Sequence, residues 1–256
     1  MGPKVGSFFW LELATSDQNA AKDFYSKLFD WTVEDRPMGP MTYTMCRLNG
    51  KDAAGIYSLM PEQVAAHVPP HWMLYVGVDN ADASAERAVQ LGAKTIVPPS
   101  DIPNVGKFAV LQDPTGAIFS MFQPGEHHGI EVFGENNALC WADLNTNDPV
   151  KAADFYAGLF GWRFETGKDG YRHIVNGASP EDMIGGIPPQ MHAPPGTPSH
   201  WAVYFRADDC KASAEKAASL GARALMPATL MENVGTMAVL ADPQGAVFSL
   251  FQSARG

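Results

Sequence analysis

Two short stretches, PPHWMLYV at residues 69–76 and PSHWAVYF at residues 198–205, each set a histidine and a tryptophan at the mouth of an apolar run that follows a proline. Imidazole is the commonest metal ligand among side chains, so His71 and His200 raise the possibility of a pair of divalent-ion sites. Carboxylates stand at matching places, Glu12 in WLEL and Asp143 in WADL, each two residues past a tryptophan (Trp10 and Trp141) and so on the same strand face. Glu12 with His71, or Asp143 with His200, would be a partial metal site, short of the ligand set that an open catalytic site uses. The other use of Glu12 and Asp143 is as a general base or as a polar anchor for a bound molecule. The histidines have a structural use too, a hydrogen bond at the strand entrance.

A small-molecule cavity is built mainly from aromatic side chains with a few polar groups, and the candidates for such a lining recur in pairs. Trp10 and Trp141 lie on first strands; Trp72 and Trp201 follow the histidines and either wall a cavity or fill the core; Tyr75 and Tyr204 alternate with the histidines along the same runs. Tyr43 and Tyr171 begin further strand candidates, and His173 follows Tyr171 where the first half has Met45. Ser120 and Ser249 sit at equivalent places in the last strand of each half.

The elements that position these residues are repeated. FYSKLFDW at 24–31 returns as FYAGLFGW at 155–162, and NVGKFAVLQDPTGAIFSMFQ at 104–123 returns as NVGTMAVLADPQGAVFSLFQ at 233–252. The chain is a tandem duplication, with domains expected at 1–124 and 138–256 and a polar linker at 125–137 in which His127 and His128 are solvated. Within a half the pattern repeats again. FFWLEL alternates as a strand, and SDQNAAKDFYSKLF opens with Ser16 or Asp17 as N-cap and puts Ala20, Ala21, Phe24, Tyr25 and Leu28 on one helical face. TYTMCRLNG and KDAAGIYSLM read as strands; HWMLYVGV starts a new unit, with a helix closing at Gly92 and strands near 94–97, 107–111 and 117–122. The order is βαβββ twice per half, an α+β protein of four such units. Asp113 and Asp242 are turn residues of the two Asp-Pro-x-Gly hairpins. The proline-rich stretches MPEQVAAHVPPH and IPPQMHAPPGTPSH connect units, as lids over a cavity or as plain linkers.

Composition narrows the partners. With 18 Lys and Arg against 28 Asp and Glu, a net charge of −10 and no basic cluster, nucleic acid is not expected. No apolar stretch reaches the roughly 18–20 residues of a membrane span and the start lacks a signal-peptide pattern, so a cytoplasmic protein is expected. Cys46, Cys140 and Cys210 are isolated thiols outside any zinc or disulfide spacing. Phosphate-binding loops and nucleophile elbows are absent from the sequence.

The βαβββ doubling, the Phe-Tyr helix ends, the LGA helix stop and the DPTGAIFSMFQP and DPQGAVFSLFQS hairpins resemble the vicinal oxygen chelate superfamily of glyoxalases, bleomycin-resistance proteins and extradiol dioxygenases, in its two-domain glyoxalase-like form. The resemblance runs from about Ser7 to Gln252 and implies two tandem cup-shaped barrels around ligand cavities. Metal-dependent members place His, Gln or Glu at four positions per barrel. Here those positions fall on Trp10, Gly55, Met73 and Ser120 in the first half and on Trp141, Gly186, Ala202 and Ser249 in the second. None is a carboxylate or an imidazole, so no metal and no other cofactor is expected.

Two functions of different class follow. One is a metal-independent protein of bleomycin-resistance type that binds a small apolar or aromatic molecule. The other is a glyoxalase-like enzyme, a lyase, isomerase or hydroxylase, with Glu12 or Asp143 as base or with an ion on residues outside those positions. The halves are expected to pair within one chain as a pseudo-symmetric monomer, or to form a homodimer.

Overall fold

The computed structural model of the protein describes residues 4–39, 41–179, 182–191 and 196–254. Four βαβββ units follow one another. The first is β1 (Phe8–Thr15), α1 (Gln18–Phe29), β2 (Thr32–Met38), β3 (Met41–Leu48) and β4 (Lys51–Ser58). A short helix, α2 (Pro61–Ala65), leads to β5 (His71–Gly77), α3 (Ala81–Gln90), β6 (Lys94–Ile102), β7 (Gly106–Gln112) and β8 (Ile118–Pro124). The third unit is β9 (Leu139–Asn145), α4 (Pro149–Phe160), β10 (Arg163–Thr166), β11 (Arg172–Val175) and β12 (Met183–Ile187). The fourth is β13 (His200–Arg206), α5 (Cys210–Ser219), β14 (Arg223–Met231), β15 (Gly235–Ala241) and β16 (Val247–Ser253).

Each unit's main helix starts the same way. The side chains of Asp17, Asn80, Asp148 and Asp209 accept the amides of Ala20, Ala83, Lys151 and Ala212, satisfying donors that a helix start leaves open. Of the helical face expected in α1, Ala21, Phe24, Tyr25 and Leu28 are buried together with Phe29, while Ala20, against the cap, is only half-buried. No helix among the described residues is long and apolar enough to cross a membrane.

The strands form two eight-stranded sheets, ordered β2-β3-β4-β1-β5-β8-β7-β6 and β10-β11-β12-β9-β13-β16-β15-β14. In each unit the first and last strands run parallel, so β1 pairs with β4 and β9 with β12 through Glu12 opposite Gly55 and Asp143 opposite Gly186. The strand expected near 94–97 continues to Ile102 through Pro98 and Pro99, because β6 is a sheet edge where a missing amide donor breaks no ladder. Pro37 in β2 and Pro227 in β14 occupy edges in the same way.

Packing divides the chain into two compact units that each draw on both halves of the sequence. One comprises residues 11–73, 130–140 and 203–256; the other comprises the chain up to Trp10 with residues 74–129 and 141–202. In the first, Phe29 meets Phe205 at 4.6 Å between ring centres and Trp72 meets Phe205 at 5.3 Å. In the second, Phe119 lies 5.4 Å from Tyr156 and Phe8 lies 6.1 Å from both Trp162 and Trp201. The linker histidines part company: His128 is exposed as expected, but His127 is half-buried with its ring edge-on to Trp10 at 4.4 Å and to Phe9 at 5.5 Å. Packing against the Phe9 and Trp10 rings takes it out of water.

Candidate functional site

The two His-Trp pairs divide their labour. The Nδ1 atoms of His71 and His200 lie 2.8 and 2.9 Å from the carbonyls of Pro69 and Pro198; a carbonyl only accepts, so each Nδ1 carries the proton and closes the turn into its strand. Burial pushes the His71 imidazole below its usual range against the smaller upward pull of the Pro69 carbonyl. Of the two places open to it, Trp72 takes the core: it is 7% exposed, and its indole donates to Tyr25 Oη at 3.1 Å. Tyr25 in turn donates to Asp242 Oδ2 at 2.9 Å, while Asp242 Oδ1 accepts the amides of Gln244 and Ala246 in its hairpin. Trp201, Tyr156 and Asp113 repeat the chain at 3.1 and 3.0 Å. Both tyrosines are held far above the usual phenol range, first by burial and then by the facing aspartate. These are architecture: the hairpin aspartates hold turns, and each also anchors a helix from the other half.

The carboxylates on the first strands sit differently. Tyr43 on β3 pairs across the ladder with Tyr57, one pleat beyond Gly55, and its ring leans back along β4 over Gly55. A methyl on Gly55 would stand 1.9 Å from the Tyr43 hydroxyl, so only glycine leaves room for the ring. From that seat Tyr43 Oη donates to Glu12 Oε2 at 2.7 Å. The other half repeats the device: Tyr171 lies over Gly186, where an added Cβ would again meet its hydroxyl at 1.9 Å, and donates to Asp143 Oδ1 at 2.5 Å. Short O–H···O⁻ bonds of this kind are the strong ones.

The surroundings of the two pairs differ. Glu12 is half-buried; Tyr57, which follows Gly55 on the same strand face, accepts a bond from Gln63 of α2 at 3.0 Å. The Tyr57 phenol is raised by burial and then by the Glu12 charge. Asp143 is 8% exposed, and its Oδ1 also accepts the Trp141 indole at 3.0 Å, which reaches Tyr171 Oη at 2.9 Å as well. His173 pairs with Gly186 as Met45 pairs with Gly55; its ring lies 4.8 Å from Tyr171 and 6.2 Å from Trp141, with Nδ1 buried and unpartnered among the described residues.

The remaining candidates lie on the parallel strand pairs. Tyr75 stands opposite Ser120 on β5 and β8, and Tyr204 opposite Ser249 on β13 and β16. The Ser120 hydroxyl is buried without a hydrogen-bond partner among the described residues. Residues 192–195 of the second proline-rich stretch lie outside the described residues, while the first stretch contains the short α2 at Pro61–Ala65.

The family's divalent ion does not fit these residues. Among the described residues no three His, Cys, Asp or Glu side chains stand close enough to hold a metal. At one ligand position per half the space beside glycine is taken by a phenol instead. Two shallow grooves of about 490 and 450 Å³, beside Leu91 and beside Pro103, contain no Trp, Tyr or His, so the convergence of polar and aromatic groups marks the site better than volume does.

Sequence reasoning named both carboxylates and both tyrosines but missed their pairing, the glycine seats, Tyr57, Gln63 and His127. The alternation Gly55-Ile56-Tyr57 was a usable signal for Tyr57, since it shares a strand face with Gly55.

Residues 7–121 match the model of the Glyoxalase/Bleomycin resistance protein/Dioxygenase superfamily, and residues 141–251 match that of a Glyoxalase-like domain. The "Putative glyoxylase CFP32" of Mycobacterium tuberculosis is 37% identical over 255 residues, covering 98% of this chain and 96% of the relative. The "Anthracycline biosynthesis protein DnrV" of Streptomyces peucetius is 31% identical over 274 residues, covering 98% and 94%. Among solved structures, the Mn(II)-bound glyoxalase of Novosphingobium aromaticivorans aligns with a TM-score of 0.65 at 14% identity over 97% of this chain and 82% of that one. The 2,3-dioxygenase LapB of Pseudomonas sp. KL28 aligns with a TM-score of 0.64 at 11% identity over 98% and 93%. At such identities these structures share the fold alone.

Proposed function

Because the chain belongs to the glyoxalase, bleomycin-resistance protein and dioxygenase superfamily, we propose that it uses that scaffold to bind a small apolar or aromatic molecule without a divalent ion at the family's ligand positions. The observation that carries this reading is that Tyr43 and Tyr171 fill the space beside Gly55 and Gly186, one expected ligand position per half, and bond the neighbouring Glu12 and Asp143. Trp10, Tyr43, His71, Tyr75, Trp141, Tyr171, His173, His200 and Tyr204 would line such sites, Ser120 and Ser249 adding hydroxyls. Trp72 and Trp201 belong instead to the networks with Tyr25 and Tyr156 behind the proposed lining. Anthracyclines are flat fused-ring compounds, and a relative named for their biosynthesis supports an aromatic ligand here.

The Glu12–Tyr43 bond favours a second reading, a glyoxalase-like enzyme in which Glu12, or Asp143 in the repeat, removes a proton from one atom of the bound molecule and returns it to another, the adjoining phenol orienting the carboxylate. Both readings place the protein in the cytoplasm as a monomer or homodimer. A native mass spectrum of the purified, untagged protein tests the choice. A retained organic adduct without an ion is expected; a stoichiometric ion of roughly 55–65 Da would overturn the metal-free reading.

A further inference from the structure

We infer that residues 60–68 form a flap, latched by Gln63 to Tyr57, which opens to admit a molecule to the sheet face that carries Glu12 and Tyr43. This rests on the small-molecule reading above and adds the way in. Little holds α2 in place. It has five residues, far below the roughly 12–15 at which a helix stands alone in water, so its form depends on what it docks against. None of its side chains is buried, and Gln63 alone among the five is half-buried. No apolar core anchors it.

Gln63 does the holding. Its Oε1 accepts the Met60 amide at the helix start at 2.8 Å, and its Nε2 donates to the Tyr57 hydroxyl at 3.0 Å. Tyr57 stands on β4 directly across from Tyr43 and two residues past Gly55, which faces Glu12 across the parallel pair. Burial and then the Glu12 charge raise its phenol, so the hydroxyl that Gln63 grips stays protonated beside that carboxylate. A flap latched there lies over the end of the candidate face.

The two ends of the segment are fixed and its middle is not. Before α2 the Leu59 amide donates to the Thr15 carbonyl on β1, and after it the His71 ring closes on the Pro69 carbonyl. Pro61, Pro69 and Pro70 set φ along the arms. His67, at φ 55°, closes the helix in the left-handed region, where a residue with a side chain is strained. One bond favours closure and one strained residue favours opening, which is the balance of a gate.

Hydrogen exchange of the intact protein tests the latch through the amides of Val64, Ala66, His67 and Val68, which donate within the segment, with Leu59 as the sheet-bound reference. Tyr57→Phe removes the latch and keeps the Gln63 bond to Met60. It is expected to speed those four amides about fivefold, the worth of one hydrogen bond, and to leave Leu59 unchanged. Ala65→Gly weakens the helix from its exposed side and leaves Gln63 whole. Hydroxyl-radical footprinting of that variant is expected to oxidise Tyr57 more than in the parent, and Tyr25, buried in the core, no more. Four amides unmoved by Tyr57→Phe, or Leu59 released along with them, overturns the latch. Tyr57 oxidation unchanged in Ala65→Gly overturns the gate. Both of those results leave the small-molecule reading standing, since that reading is decided by the adduct in the native mass spectrum.

Discussion

An imidazole at a strand entrance can chelate, carry protons or close a turn, and His71 closes a turn through Nδ1 to the Pro69 carbonyl. Because burial lowers its pKa, the folded protein binds fewer protons at this ring than the unfolded chain does. Its contribution to stability is therefore complete above the unfolded value of 6.5 and is lost as pH falls through the folded value. The His71 ring resonances followed by NMR should titrate with a midpoint below 6.5. A midpoint at that value would place the ring in water, and one above it against a carboxylate. At this scale residue types were legible in the sequence: Glu12, Asp143, Tyr43 and Tyr171 were all visible as chemistry. Their partners were not, because a glycine's role as a seat for a ring two rungs away depends on sheet register, and sequence alternation does not supply register.

Helices and strands were largely readable because their caps and periods are local. Asp17, Asn80, Asp148 and Asp209 announce the helices, and the LGA stops end two of them with positive φ at Gly92 and Gly221. What holds those elements together was hidden. Tyr25 looked like one more apolar position on α1, whereas its hydroxyl joins Trp72 to Asp242, more than two hundred residues along the chain. Tyr25→Phe removes the bridge and leaves a buried carboxylate oxygen and an indole N–H unpaired. The expected loss is about 1–3 kcal/mol in denaturant unfolding, with an unchanged slope. A variant as stable as the parent would mean that the network carries no net energy.

The duplication was plain in the sequence, and it invited the picture of two halves folding side by side. Each compact unit takes segments from both halves, since residues 11–73 pack with 203–256 and residues 74–129 with 141–202. Repeats of similar sequence can exchange partners, and composition and period carry no trace of which segments share a core. A single protease site introduced between Glu135 and Asn136, both exposed, should yield two fragments that coelute on size exclusion and part only in urea. Separation in plain buffer would show that the shared cores do not hold them.

The prolines at the sheet margins carry one more consequence. β14 leaves Leu225 and Leu230 exposed, Leu230 by 76%, and β6 does the same with Ile96, a profile that invites another molecule to add a strand and start a fibril. Pro98, Pro99 and Pro227 interrupt the row of amides along these two borders, Pro37 does so on β2, and β10 is only four residues long. A sheet whose margins cannot complete a ladder with a stranger can keep apolar side chains in water without nucleating amyloid.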